Sequence, residues 1–394
     1  MQSNKLRMAI RATAAMAVLG MAGQVAAVEL SPKDLNFKTE LYGFARVAAS
    51  YDINENIQNG GQAANFGKLT DGDVAEGHFG IDAKTSRLGV RVSSEDDVTI
   101  VAEFDFDRDN SLTPRLRQAY GEYKGVLMGQ TWSNYNSFVG NTSVLDFDGI
   151  RGTAGVQGRV AQMRYTNGPL SFSLEEQVSS DVAAGITIVS GSTSTSTVKS
   201  GDTKQGLPVL TARLEDSQGG LSYSVAAMAK QVAVDNGTSD DSALGYGVFA
   251  AGRLAVTDMI SIQGAVNYTD GAAGYIFGTG NNGFWGYDAY TDTSGDLETV
   301  ESIGAAIGAG FNLGGGRSIN FAYGFAQQDL DDGVAAGRID SSDAETNSMM
   351  TANYQWSPVK AVKMGVEYAY VEAESQAGES ADANRVMFLA QYSF

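Results

Sequence analysis

The chain has no cysteine, one histidine and only five prolines in 394 residues. Without cysteine there is no disulfide framework, no thiol nucleophile and no Cys/His zinc site. A hydrolase would need a nucleophile with a base, and His78, set among Gly77, Phe79 and Gly80, is the only histidine that could serve. Positive charge is also scarce: 27 Lys and Arg stand against 46 Asp and Glu, a net charge of −19, which argues against nucleic acid as a partner. After residue 27 no stretch approaches the roughly 18 consecutive apolar residues of a spanning helix. If the mature chain sits in a membrane, it must do so as a barrel.

The exception to that scarcity of apolar runs is the N-terminus. Lys5, Arg7 and Arg11 precede an apolar stretch over 12–25, and the small residues Ala26 and Ala27 follow. This pattern reads as a secretory signal peptide over 1–27, cleaved after Ala27; acidic, polar residues 29–36 come next instead of a stop-transfer flank. Cleavage would remove three positive charges and take the net charge to about −22. The domain reading is then a signal peptide at 1–27, a short periplasmic segment at 28–38 and a barrel at 39–394.

What the sequence does have is glycine (48 residues), Tyr and Phe (17 each) and alternation. Half-buried strands use such residues, because every second side chain can face water while the others face an apolar phase. Alternating segments occur at 39–52, 79–93, 98–107, 114–123, 126–134, 159–166, 170–177, 207–215, 221–234, 244–256, 260–269, 300–313, 318–329, 347–356, 362–371 and 384–394. Sixteen is an even number, as a bacterial single-chain barrel requires, and wide enough for a water-filled lumen. The fold class is therefore all-β: a transmembrane antiparallel β-barrel of about 16 strands. Its last strand ends on Phe394, with Val386, Phe388, Ala390 and Tyr392 on the same outward face and Arg385 inward near the outer mouth.

Tight turns, such as Lys124-Gly125, alternate with long loops rich in Gly, Ser, Thr, Asn and Asp, notably 179–206 and 270–298. The Ser/Thr run at 190–200 reads as a mobile external loop tip. The third long loop differs. It carries Phe138, Val139, Leu145 and Phe147, which suit a segment folded into the lumen with its apolar side on the wall and Asp146, Asp148 and Arg151 toward the channel. The phase of each strand turns Arg46, Arg87, Arg91, Arg164 and Arg213 inward. Arginine grips carboxylates through its planar fork; the plainer reading pairs these arginines with the inward acids Glu40, Glu103, Asp105, Glu175 and Glu367.

The runs Leu116-Arg117-Gln118-Ala119-Tyr120-Gly121-Glu122-Tyr123, Met128-Gly129-Gln130-Thr131-Trp132, Leu145-Asp146-Phe147-Asp148-Gly149 and Lys84-Thr85-Ser86-Arg87-Leu88-Gly89 resemble those of the DcaP-like porins, trimeric outer-membrane channels of Gram-negative bacteria. The resemblance is dense over 40–175 and thin beyond. It implies a homotrimer in outer-membrane lipid that passes small hydrophilic solutes, anionic ones such as dicarboxylates above all, by passive diffusion without catalysis or cofactor. Members of that family can carry a periplasmic coiled coil, for which 28–38 is too short. The competing class is an outer-membrane adhesin or structural anchor using the long loops. Asp329, Asp331 and Asp332, or Asp240 and Asp241, have oxygens suited to Ca²⁺ but more often such clusters are simply solvated.

Overall fold

The computed structural model describes residues 28–29, 37–69, 75–107, 113–178, 181–189, 192–198, 202–235, 240–281, 283–284 and 286–394. The expected signal peptide at 1–27 and most of the segment at 28–38 lie outside them.

Sixteen strands form the wall: Phe37–Asp52 (β1), His78–Asp82 continued by Arg87–Ser94 (β2), Val98–Asp105 (β3), Arg115–Tyr123 (β4), Val126–Trp132 (β5), Arg159–Asn167 (β6), Leu170–Glu175 (β7), Val209–Gln218 (β8), Leu221–Asp235 (β9), Asp240–Ala255 (β10), Ile260–Asp270 (β11), Glu301–Gly314 (β12), Arg317–Gln328 (β13), Ala344–Val359 (β14), Val362–Ser375 (β15) and Ser380–Ser393 (β16). Each pairs antiparallel with the next. β16 returns to β1 in register from Phe44↔Ser393 to Asp52↔Arg385, which closes the barrel and removes both sheet edges. The backbone of Phe394 completes the seam, donating to the Gly43 carbonyl at 3.1 Å and accepting from the Gly43 amide at 3.3 Å.

The alternation sorts side chains by face. Val47, Leu88, Val90, Met128, Phe172, Val266, Phe321 and Tyr323 are exposed, while their neighbours Ala48, Leu127, Ser173, Asn267, Asn320 and Ala322 are buried. So large an apolar outer surface calls for lipid as its cover. No helix among the described residues is long and apolar enough to cross a membrane. At Lys124-Gly125 both residues have positive φ (48° and 83°), the two-residue turn whose twist matches the flanking strands.

Two expectations need correction. The strand read as continuous over 79–93 breaks at 83–86, where Asp82 Oδ1 accepts from the Lys84 amide at 2.5 Å and the Ser86 amide donates to the Ala83 carbonyl at 3.0 Å. A short polar side chain here competes with the ladder for backbone partners. The Ser/Thr run is also not merely a loop tip: Ser192–Thr197 is a strand paired antiparallel with Asp181–Val189, as threonine's β-branching favours. Asp181–Val189 pairs in turn, in parallel, with Tyr287–Thr291, which pairs with Leu297–Thr299. Two loops far apart in sequence thus share a four-stranded sheet. The connection between β13 and β14 is tied to it through Asp343, whose carboxylate accepts from Thr195 Oγ1 (2.5 Å), Asn281 Nδ2 (2.7 Å) and the Tyr287 hydroxyl (2.9 Å).

Candidate functional site: the inner wall and the segment at 133–158

Between β5 and β6 the chain is held by side chains from distant strands. Glu175, ending β7, accepts from Ser133 Oγ and the Asn134 amide, each at 2.6 Å. Glu367 on β15 accepts from the amides of Leu145 (2.8 Å) and Asp146 (3.1 Å) and from Asn353 Nδ2 (2.9 Å). Asn267 on β11 donates Nδ2 to the Gly152 carbonyl at 2.8 Å and accepts the Gly155 amide at 3.0 Å. Leu145 packs with Ala48 and Leu389, and Tyr135 with Met228, Phe249 and Ala265, all on the buried face of the wall. A hydrogen bond to a charged group contributes roughly 1.5–3 kcal/mol, so Glu175 and Glu367 are strong anchors.

This occupation of the acids decides the state of the arginines. Arg87 pairs with Glu103 at 3.2 Å, and Asp105 takes Arg115 at 2.8 Å and Arg117 at 3.3 Å. Glu40 instead meets Lys38 at 2.6 Å, while Glu175 and Glu367 hold the segment's backbone. Arg213 donates to the Asn136 carbonyl and stands 4.0 Å from Glu215. Among the described residues no carboxylate lies within 4.0 Å of Arg46, Arg91 or Arg164. Arg46 donates Nη2 to the Leu145 carbonyl at 2.7 Å and lies over the Phe147 ring at 5.5 Å; Arg117 lies over the same ring at 5.7 Å.

Two basic groups escaped the strand-phase reading. Arg117 is the extra residue of a β-bulge, since Glu103 pairs with Gln118 but Phe104 with Leu116. Arg159 shares strand parity with the exposed Ala161 and Met163, yet it lies on Trp132 at 3.5 Å, within electrostatic range of Arg87 and Arg117. A bulge and a strand end both defeat a strict period of two.

Three other expectations change. Asp146 and Arg151 do not face open water: their residues are 4% and 0% exposed. Asp146 accepts from the amides of Ala64 and Asp148, both at 2.9 Å; Arg151 sits at 4.4, 5.2 and 5.5 Å from the rings of Phe66, Phe277 and Phe284. Asp148 is half-buried. Burial, and after it the Asp146 carboxylate, pushes the Asp148 carboxyl up to about 7; burial also raises Asp146, against the opposing charges of Arg151 and Arg385. Arg385 is no bait for anions at the outer mouth. It is fully buried, donating Nε and Nη2 to Asp52 at 2.5 and 3.0 Å and Nη2 to the Ile57 carbonyl at 2.8 Å, because strand register sets it directly opposite Asp52.

Asp331, Asp240 and Asp241 are engaged within the protein. Asp331 accepts from Gln376 Nε2 at 3.0 Å, Asp240 meets Lys204 at 3.5 Å, and Asp241 accepts the Leu297 amide at 2.7 Å. Among the described residues no three His, Cys, Asp or Glu side chains converge as metal ligands. His78 is half-buried, with Nε2 2.7 Å from the Ala75 carbonyl.

The barrel is similar to the outer membrane channel DcaP of Acinetobacter baumannii, with a TM-score of 0.76 and 26% identity over 94% of this chain and 100% of that one. At lower identity it shares its fold with OmpT of Vibrio cholerae lacking loop L8 (TM-score 0.55, 10% identity, 91% of this chain and 100% of that one). The same holds for an anion-selective porin from Comamonas acidovorans (TM-score 0.53, 12% identity, 91% and 100%). No curated protein sequence matches the chain. The model of the DcaP outer membrane protein family matches residues 30–394. With a closed sixteen-stranded wall, an apolar exterior and that match along nearly its whole length, the chain belongs to the DcaP outer membrane protein family and is a porin-type channel of the bacterial outer membrane.

Proposed function

We propose that the channel passes small hydrophilic solutes by passive diffusion and favours anions, dicarboxylates in particular. The observation that carries this reading is the inward set Arg46, Arg91 and Arg164, which have no carboxylate within 4.0 Å among the described residues while the nearby acids hold the chain at 133–158. A few uncompensated charges in a narrow, low-dielectric passage outweigh the charge of the distant surface, because the walls focus the field. The segment at 133–158 narrows the lumen in this reading, its anchors on β7, β11 and β15 holding it across the bore. Export by a cleaved signal peptide and assembly as a homotrimer complete the proposal, in line with the sequence resemblance.

Reversal potentials of purified protein in planar bilayers, with succinate against chloride, test it. Anion-over-cation permeability above one is expected. A cation-selective current would reject the anion preference, and the absence of any current would return the adhesin or anchor reading.

A further inference from the structure

The guanidinium of Arg151 stands out among the described residues. It is fully buried, and none of its three nitrogens has a hydrogen-bond partner among the described residues. Its surroundings come from three separate stretches of chain: Phe66 from the connection between β1 and β2, Phe277 and Phe284 from that between β11 and β12, and its own segment at 133–158. The backbone is fitted around it. Gly152 (φ 68°) donates to the Phe277 carbonyl at 2.7 Å, and a Cβ there would meet the Phe325 carbonyl oxygen at 2.1 Å. A Cβ on Gly278 (φ 110°) would meet Arg151 Cδ at 2.4 Å. Two glycines thus make room, one for the turn beside Arg151 and one for its stem.

Close by, the same connection between β1 and β2 grips the segment twice more. Asp146 Oδ2 accepts the Ala64 amide at 2.9 Å and the Phe147 amide donates to the Gln62 carbonyl at 2.9 Å. The two carboxylates whose charge acts on Arg151 are those of Asp148 and Asp146. A buried cation is attracted to aromatic faces, more strongly when desolvated, so three rings and two carboxylates offset part of what hydrogen bonds would otherwise supply.

We infer that Arg151 is a positioning residue for the channel: caged by Phe66, Phe277 and Phe284, it pins the segment bearing Asp146 and Asp148 to two outer connections and so sets the width and charge of the passage. This rests on the reading of 133–158 as the narrowing element. The loops and the passage are then one mechanical unit, and a change at Phe66 or Phe284 is felt in the width of the passage.

The test compares R151M, R151K and a variant carrying both F66L and F284L, each as full-length protein in planar bilayers across pH 5–9. Asp148 is the titrating reporter; it faces Asp146 and Arg151 of its own segment, Asp107 beyond β3, Arg115 and Arg117 of β4 and Arg46 of β1. With R151M, single-channel conductance should change and fluctuate, and the pH midpoint of selectivity should rise by about one unit as a nearby positive charge is lost. R151K should restore the midpoint. The Phe66/Phe284 variant should reproduce the altered conductance while leaving the midpoint near its native value. Native conductance and native midpoint in R151M overturn the inference; if R151M does not fold, native conductance in the Phe66/Phe284 variant overturns it. D148N separates this from the reading beneath it: no effect of D148N on selectivity or of deleting 145–149 on conductance removes the narrowing role of the segment itself.

Discussion

Asp52 and Arg385, 333 positions apart in the chain, form a fully buried bidentate ion pair across the seam where the first and last strands close the barrel. Register makes them direct opposites, and the Ile57 carbonyl takes a further hydrogen bond from Arg385 at 2.8 Å.

Breaking that pair leaves a charge stranded away from water. Asp52→Ala or Arg385→Ala alone should cost about 3–5 kcal/mol, whereas replacing both with apolar residues of similar volume should cost far less. Heat-induced unfolding followed by gel mobility checks this; equal losses in single and double variants would show that the pair itself matters little.

Selectivity should respond to the unpaired arginines more cleanly than to the paired one. Arg91→Ser with Arg164→Ser is expected to lower anion-over-cation permeability without loss of stability, since neither residue has a carboxylate within 4.0 Å among the described residues. Arg87→Ser should lower it as well, but it also takes the ion-pair partner from Glu103, which is 3% exposed and keeps only the Tyr42 hydroxyl at 3.3 Å among the described residues, at a cost of about 1–3 kcal/mol. Unchanged reversal potentials in the Arg91/Arg164 variant would count against the anion preference.

Acidity should modulate the passage. Burial, and after it the Asp146 carboxylate, pushes the Asp148 carboxyl up to about 7. Lowering pH from 8 to 6 protonates it and removes a negative charge, so anion preference should rise as pH falls. Asp148→Asn should hold the channel in its low-pH selectivity throughout. A reversal potential flat across that range in the native protein would remove Asp148 from the passage.

Glu367 anchors two amides of the segment at 133–158. Glu367→Gln keeps its shape but weakens both bonds, and about 1–3 kcal/mol of anchoring should be lost. Larger, noisier single-channel steps are the expected result; current traces indistinguishable from native would mean that the remaining anchors suffice.

Asp343 joins Thr195, Asn281 and Tyr287 in the outer sheet. Asp343→Ala should speed proteolysis of the stretches around 180–200 and 281–299 while barely moving the thermal transition of the barrel, because its three partners lie outside the sixteen-stranded wall.

The amino-acid sequence by itself determined the wall. Alternation of period two states which side chains meet lipid, so the number of strands and the closing strand at the C-terminus were legible, each from its own few residues. The partner of each charge was not. Whether Glu367 would hold an arginine or the amides of Leu145 and Asp146, whether Arg385 would stay open or lock onto Asp52, and whether Arg151 would meet water or three aromatic rings depend on which distant segments share a place. Only the tertiary structure decided these, because the reach of a loop, one bulge at Arg117 and the register of the seam are set by pairings between residues up to hundreds of positions apart.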